Sequence, residues 1–252
     1  MQQIIVYVDK GVDGVALKQT FKSLQKEIDH SAHTIEQVDA DTLKQGGWES
    51  KTALLVFPGG RDIYYHEALE GRGTDRIRLF VENGGSYLGL CAGAYFASGS
   101  IEFEKGKALE ICEKRSLGFY PGIAEGPAYG ENKYQYNNGL QGIEAAHILW
   151  KGQSRFHVYF NGGCRFIDSH RHATVKILGS YIELDNDPPA IIECIVGKGR
   201  AILSGVHLEY TIPVIYHNNP YLERILPLLE KGEEKRKTVF REILRSLNVE
   251  LI

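Results

Sequence analysis

The amino-acid sequence predicts a doubly wound α/β fold, with a mostly parallel sheet flanked by helices. Three observations support this fold class. Apolar strand-like segments alternate with segments of helical periodicity through the first part of the chain. The early strand segments are continuously apolar, which is typical of strands buried on both faces of a parallel sheet. Later segments are short and separated by turn residues, so extra antiparallel strands are expected in the C-terminal half.

The N-terminal half accounts for the parallel part of this sheet. Its first strand is a β-branched run, its first helix places apolar residues at helical spacing, and Pro58-Gly59-Gly60 ends its third strand. Thr74 is a candidate N-cap for a later helix, and Gly84 is its terminator. The expected elements are strands over 3–8, 33–38, 53–57 and 86–90, and helices over 13–28, 41–45 and 74–83.

Regularity is lost between 100 and 138, where turn residues and aromatics predominate. We expect a long excursion over the active face there, including a polar aromatic loop at 134–138. The sequence Gly197-Lys198-Gly199 predicts a hairpin turn, and the charged run 231–237 predicts a solvated helix face. The later elements are predicted as strands over 145–150, 156–160, 173–178, 181–184, 190–196 and 200–206, and helices over 221–229 and 233–247.

Composition limits the class of protein. The 252 residues suit one domain over 1–252 with a helical tail at 219–252. A net charge of −3 gives no basic surface for nucleic acid, and no apolar run is long enough for a membrane span. The four cysteines form no C-x-x-C pair, and the N-terminus does not resemble a signal peptide. We therefore expect a cytoplasmic protein with free thiols.

The central motif is Gly89-Leu90-Cys91-Ala92-Gly93, at a predicted strand-to-helix corner. Flanking glycines allow strand and helix to approach closely, which is the arrangement of a nucleophile elbow. The N-terminus of the following helix favours the negative charge of a thiolate. The alternative is a buried core cysteine beside a tight turn.

A candidate base follows the last predicted strand. His207 and Glu209 are two residues apart, so their side chains point the same way in an extended chain. Glu209 can then orient His207, and His207 can accept the proton of Cys91 if the strand end lies beside the elbow. A simple pair of residues on a surface strand is the alternative.

Taken together, these motifs resemble the class I glutamine amidotransferase superfamily, whose fold is flavodoxin-like. Within it, the sequence is most similar to the domain at the N-terminus of eukaryotic biotin-protein ligases and its free-standing bacterial relatives. The resemblance covers about Ile4 to Tyr210 and leaves no room for the ligase's own catalytic domain, so ligation is not predicted. The segments that carry it are 57–62, 85–96, 119–122, 126–127, 158–163 and 207–209.

This resemblance implies roles for the motif residues. Cys91 is the nucleophile, His207 the base and Glu209 the orienting carboxylate. The backbone amides of Gly60 and Ala92 form the oxyanion hole. The remaining residues expected to bind substrate are Gly59, Arg61, Asp62, Tyr87, Tyr95, Asn161 and Gly162.

One departure from the amidotransferase pattern concerns substrate. These enzymes usually carry glutamine four residues after the cysteine, where this sequence has Tyr95. We expect the ring to occupy space that glutamine needs, so free glutamine is predicted to be a poor substrate. Further aromatic walls of the pocket are predicted from Tyr87, Phe119, Tyr120 and Tyr129.

Three functional classes remain open at this point: a cysteine-dependent amide hydrolase or amidotransferase-like enzyme, a non-catalytic ligand-sensing or regulatory module, and a thiol-redox or glyoxalase-like protein. The last needs an acidic residue after the first strand, where only Asp9 is near. No cofactor is expected, and His147, His157, His170 and His172 show no metal-ligand spacing. The expected ligand is a small molecule, and a homo-oligomer or a partner enzyme is left open.

Overall fold

Thirteen strands and six α-helices are formed by the residues that the computed structural model describes, which are 1–130, 139–140, 142–212 and 219–252. The predicted loop at 134–138 lies outside the described residues. The strands are β1 (Gln2–Tyr7), β2 (His33–Val38), β3 (Thr52–Phe57), β4 (Ser86–Leu90), β5 (Ser98–Phe103), β6 (Ile111–Lys114), β7 (Tyr120–Gly126), β8 (Glu144–Trp150), β9 (Ser154–Phe160), β10 (Arg165–Ile167), β11 (Val175–Tyr181), β12 (Pro189–Val196) and β13 (Gly199–Ser204). The helices are α1 (Gly14–Glu27), α2 (Ala40–Gln45), α3 (Asp62–Leu69), α4 (Arg72–Glu82), α5 (Ala92–Phe96) and α6 (Pro220–Ser246).

A nine-stranded sheet forms the centre of the molecule, in the order β2-β1-β3-β4-β13-β12-β11-β8-β9. The strands from β2 to β13 in this order pair in parallel, and those from β13 to β9 pair antiparallel. The predicted mixed α/β fold with antiparallel strands in the C-terminal half is confirmed. Parallel pairing brings the carboxyl ends of β1, β3, β4 and β13 to one edge of the sheet, where sites of such folds lie.

Strand β13 lies between β4, with which it pairs in parallel, and β12, its antiparallel hairpin partner. Its Ser204 lies opposite Leu90, the last residue of β4. The chain segments that follow these two strands therefore leave the sheet side by side. This register brings the segment that begins at Cys91 and the segment that contains His207 to the same edge of the sheet.

Local differences from the prediction have identifiable causes. Helix α3 was not predicted, because it follows the glycine turn directly and is only eight residues long. It is held by packing, since Tyr65 and Leu69 are fully buried. The predicted strand over 173–178 corresponds to β11, which runs on to Tyr181, whereas the rest of the predicted strand over 181–184 is a turn.

The prediction of an irregular excursion between 100 and 138 was wrong for much of its described part. Strands β5, β6 and β7 join β10 in a four-stranded sheet of order β10-β7-β5-β6. These strands contain glycine, proline and polar residues, so their patterns are weak. Their pairing is with distant partners, as when Phe166 of β10 lies opposite Ala124 of β7.

Helix α6 is continuous, whereas the sequence predicted two helices separated near Gly232. This glycine serves a close approach to the sheet, because a Cβ there would lie 2.3 Å from the carbonyl oxygen of His157. Pro227 and Gly232 disfavour the interior of a helix, but the packing of α6 against β9 keeps the helix continuous at both. Among the described residues, no helix combines the length and the apolar character that crossing a membrane requires.

A stacked aromatic cluster supports the end of β4. The ring of Phe57 stacks on Tyr7 at 4.7 Å between centroids, and on Tyr87 and Phe96 at 5.3 Å each. Tyr65 packs edge-on against this stack. All five rings are fully buried, so the strand-to-helix corner rests on a rigid base.

Candidate active site

Cys91 lies at the corner between β4 and α5, as predicted. Its backbone has φ 51° and ψ −101°, an uncommon conformation for a residue other than glycine. The Cys91 N–H donates to the Ser204 carbonyl oxygen at 2.8 Å, which ties the corner to β13. Such strain persists only where surrounding structure holds it, and it is concentrated at functional sites.

The two flanking glycines explain how this corner is built. A Cβ at Gly93 would lie 2.1 Å from the Phe57 carbonyl oxygen, and one at Gly89 would lie 2.5 Å from the Gly93 carbonyl oxygen. Both are far inside contact distance, so only glycine permits the observed approach of α5 to β3 and β4. The sequence G-x-C-x-G therefore produces the tight strand-to-helix corner that was predicted for a nucleophile elbow.

His207 reaches Cys91 from the neighbouring segment. Its backbone N–H donates to the Tyr159 carbonyl oxygen at 2.9 Å, and its ring is hydrogen-bonded to the Cys91 side chain. On its other side, Nδ1 lies 2.7 Å from Glu209 Oε1. The three residues thus form one chain of contacts, in which Glu209 fixes the ring orientation of His207.

The electrostatics of this chain favour a charged imidazole. Burial by itself would lower the pKa of His207, but the Glu209 carboxylate and hydrogen bonds with Cys91 and Glu209 raise it to about 10. His207 is therefore protonated near neutral pH, with its positive charge held between Glu209 and Cys91. Glu209 is fully buried, and its second oxygen has no hydrogen-bond partner, so its charge is directed at His207.

Gly60 and Ala92, the two positions predicted for the oxyanion hole, both lie beside Cys91. Ala92 is the first residue of α5, so its N–H has no acceptor within that helix. The turn containing Gly60 is fixed by backbone bonds from Asp13 to Gly59 and from Arg61 to Gly11, at 3.0 and 2.8 Å. A Cβ at Gly60 would lie 2.0 Å from the Gly11 oxygen, so this close approach requires glycine.

Two cavities meet at Cys91. The larger, of about 520 Å³, is bounded by the start of α1, by His207 and by the N-terminal part of α6. The smaller, of about 240 Å³, lies between α3 and the second sheet and has a more aromatic lining. The residues common to both cavities are Gly60, Arg61, Cys91 and Asn161.

Most residues predicted to bind substrate line these cavities. Gly59 lines the larger one, and Asp62, Tyr95 and Gly162 line the smaller one. The Asn161 carbonyl oxygen lies 3.7 Å from Cys91 Sγ, so this residue contacts the cysteine through its backbone.

Asp62 and Tyr95 also have structural partners. Asp62 forms a 2.7 Å ion pair with buried Arg115, and burial raises the pKa of its carboxyl despite that guanidinium. The Tyr95 hydroxyl donates to the Gly162 carbonyl oxygen at 3.0 Å. Its ring is 4 % exposed, so the contact it offers the smaller cavity is a limited one.

The structure gives Tyr87 a packing position instead of the predicted place at the substrate. It is fully buried in the aromatic cluster, and its hydroxyl donates to the Gly93 carbonyl oxygen at 2.9 Å. The predicted aromatic wall from Phe119, Tyr120 and Tyr129 is also built into the core: Phe119 packs on Tyr87, Tyr120 on Phe166, and Tyr129 on Phe160 and Tyr181.

Other residues at the site were not predicted. Tyr159 and Tyr210 stack at 4.5 Å, and both rings pack against His207. Fully buried Gln19 lines the larger cavity, and its side-chain NH₂ has no hydrogen-bond partner. Two sequence signals could have placed these residues at the site. Tyr159 lies two residues before Asn161, and Gln19 lies on the helix that follows the carboxyl end of β1.

Asp9 is engaged in local structure. Its carboxylate accepts hydrogen bonds from the amides of Lys10 and Ala40, at 2.7 and 3.1 Å. It thereby ties the end of β1 to the start of α2. The acidic partner that the thiol-redox interpretation requires at Cys91 is not supplied by this residue. All four cysteines are free thiols.

Solved structures with a similar fold include glutamine amidotransferases. A crystal structure titled as a glutamine amidotransferase has a TM-score of 0.58 at 20% identity, covering 91% of this chain and 98% of that one. The PurLQS structure from Thermotoga maritima has a TM-score of 0.59 at 14% identity, covering 98% and 99%. At these identities the similarity establishes the fold.

Sequence comparison gives closer relatives. An uncharacterized protein of Chlamydia muridarum is 38% identical over 212 residues, covering 83% of this chain and 81% of the relative. The biotin–protein ligase of Schizosaccharomyces pombe is 34% identical over 255 residues, covering 98% of this chain but only 38% of the ligase. The family model described as biotin-protein ligase, N terminal, matches residues 2–252. The chain therefore belongs to the biotin-protein ligase N-terminal domain family and has a glutamine amidotransferase-like fold.

Proposed function

We propose that this chain is an enzyme that uses Cys91 as a nucleophile to cleave or transfer an acyl group, as an amide hydrolase or an amidotransferase does. The observation that carries the proposal is the position of His207, hydrogen-bonded to Cys91 on one side and to Glu209 on the other. The strained backbone of Cys91 and the position of the Ala92 amide, which has no acceptor within α5, support it further.

The proposed chemistry follows from the position of protonated His207 beside Cys91. The Cys91 thiolate attacks the carbonyl carbon of the substrate, forming a C–S bond, while the carbonyl oxygen gains negative charge near the amides of Gly60 and Ala92. Protonated His207 donates its proton to the leaving amine as the C–N bond breaks. Water, or an acceptor amine, then attacks the thioester with His207 as base, which regenerates the thiolate and releases the acyl product.

The proposed substrate is a small molecule that spans the two cavities, with its carbonyl at Cys91. The smaller cavity combines the rings of Tyr64, Tyr95 and Phe103 with the polar groups of Arg61 and Asp62. A flat or apolar group held by one or two polar contacts suits such a lining better than the side chain of glutamine.

Thiol alkylation combined with peptide mapping tests the nucleophile. Cys112 is the competing thiol because it is exposed, but burial and the carboxylates of Glu110 and Glu102 raise its pKa. Burial also raises the pKa of Cys164 and Cys194, and both are fully buried. We therefore expect iodoacetamide to label Cys91 first near neutral pH, although it is 6 % exposed.

Two variants and one substrate complete the test. His207→Ala should slow labelling of Cys91, and Glu209→Gln should do so less, with circular dichroism confirming that both variants fold. Wild-type protein should release one equivalent of nitrophenolate rapidly from p-nitrophenyl acetate and retain an acetyl group on Cys91, whereas Cys91→Ser should not. Faster labelling of Cys112, or no acetylation of Cys91, would leave a non-catalytic binding module as the better interpretation.

A further inference from the structure

A second group of ligating side chains lies outside both cavities, where β8 and β9 pair. His147 and His157 are direct register partners in this antiparallel pair. Their rings stack face to face, with centroids 4.3 Å apart and an interplanar angle of 17°. Glu183, two residues after the end of β11, completes the group, and one ligand atom from each residue lies within 4.8 Å of the others.

Backbone pairing explains why these residues meet. The Ile182 N–H donates to the His147 carbonyl oxygen at 3.0 Å, which holds the turn carrying Glu183 against β8. The Glu183 carboxylate is 3.3 Å from the hydroxyl of buried Tyr129. The Tyr129 hydroxyl donates to this carboxylate, which helps to fix the position of Glu183.

We propose that His147, His157 and Glu183 bind one divalent transition-metal ion of the zinc type. Two imidazoles and one carboxylate are the donor set of three-ligand zinc sites that keep a fourth position for water. Bond lengths of about 2.0–2.2 Å place ligand atoms about 3.3–3.5 Å apart around a tetrahedral ion. The present ligand atoms lie within 4.8 Å of one another, so binding requires them to draw together and the stacked rings to tilt until each points a nitrogen at the ion.

Some neighbouring groups oppose the binding of such an ion, and others favour it. Lys231 is a positive charge near His157 and opposes a cation. The Tyr129 hydroxyl orients Glu183, as partners of metal-bound carboxylates commonly do. Close packing of α6 at Gly232 fixes the backbone of His157. Nitrogen ligands make calcium and magnesium poor candidates.

Titration with zinc chloride and with cobalt chloride tests the site. The parent protein carries Cys91→Ser and Cys112→Ser, so that neither the elbow thiol nor the exposed thiol contributes ligands. We expect isothermal calorimetry to give one zinc ion per chain, and Co²⁺ to give visible absorption bands of a low-coordinate complex. His157→Ala in this parent should weaken zinc binding at least tenfold, and exposed His170→Ala, outside the cluster, is the matched control.

Glu183→Gln is a second test variant, for use if His157→Ala does not fold. It keeps the size of an exposed side chain, so we expect it to leave the fold unchanged. It should also weaken zinc binding, and it should change the Co²⁺ absorption bands. Absence of stoichiometric zinc binding by the parent would overturn the proposal. So would equal zinc affinity of the parent, His157→Ala and Glu183→Gln, or a loss on His170→Ala equal to that on His157→Ala.

Discussion

Replacing Gly93 with alanine tests whether the close approach of α5 to β3 builds the elbow. The new Cβ would lie 2.1 Å from the Phe57 carbonyl oxygen and 2.8 Å from the Phe57 Cβ. Carbon–oxygen contacts are ordinarily about 3.3 Å or longer. The helix must therefore move by about 1 Å, because the contacting oxygen belongs to a sheet strand and cannot rotate away.

The expected loss of stability follows from this overlap. Overpacking of a core typically costs about 1–3 kcal/mol, and a rigid backbone neighbour places this site at the upper end. A loss of about 3 kcal/mol lowers the melting temperature of a chain of this size by about 6–12 °C. Gly14→Ala is the matched control, since no atom lies within 4 Å of a Cβ there. At the first residue of α1, this change should be neutral or stabilising.

Urea unfolding followed by circular dichroism measures both variants, and iodoacetamide labelling in the folded state reports on Cys91. We expect Gly93→Ala to lower the unfolding midpoint and to slow labelling of Cys91, because the corner is displaced from His207. Gly14→Ala should change neither. Equal midpoints and equal labelling rates for the two variants would refute the structural role assigned to Gly93.

Three further predictions concern substrate, pH and an ion pair. Wild-type protein should release little glutamate from free glutamine, since Tyr95 stands at the position of the amidotransferase glutamine; robust release that Cys91→Ser abolishes would contradict this. In a Cys91→Ser background, the His207–Glu209 pair should stabilise the fold below pH 6.5 and lose that contribution as pH rises towards the raised pKa of His207. The free energy of unfolding should then fall by up to about 1.4 kcal/mol per pH unit relative to the same protein with His207→Gln. Parallel pH profiles of the two proteins would exclude the raised pKa. Asp62→Ala should cost about 3 kcal/mol because it removes the buried carboxylate partner of Arg115 and leaves that guanidinium with half-exposed Glu113 as its acidic partner. Asp41→Ala, at an exposed pair, should cost about 0–1 kcal/mol, and similar urea midpoints for the two variants would show that the Asp62–Arg115 pair contributes little.

Sequence reasoning succeeded where the signal is local. Strands β2 and β4 were predicted at their observed bounds, and β4 was readable because a buried parallel strand forms a short, mostly apolar run. The elbow was readable because Gly89 and Gly93 mark close backbone approach around Cys91. The pairing of His207 with Glu209 was predicted from alternation along an extended chain; the two side chains do pair, but through a turn at 208–209.

It failed where structure depends on distant pairing. The second sheet is formed by weakly patterned strands whose partners lie far along the chain. Tyr87 was misassigned because a strand buried on both faces gives no sequence signal for the direction of each side chain. Tyr210 was overlooked at the site although it follows Glu209, since its contact with Tyr159 depends on the return of the chain beside β9.

Tyr95 links the fold of the second sheet to the character of the site. A Cβ at Gly126 would lie 1.6 Å from the Tyr95 hydroxyl oxygen, so glycine at the end of β7 makes room for this side chain. The hydroxyl bonds to Gly162, and the ring packs edge-on against Phe103 of β5. Tyr95 thus connects the elbow helix to the second sheet as well as lining the smaller cavity. A glutamine at this position would lose the ring contact and leave space beside Gly126, so Tyr95→Gln alone is not expected to produce a glutaminase.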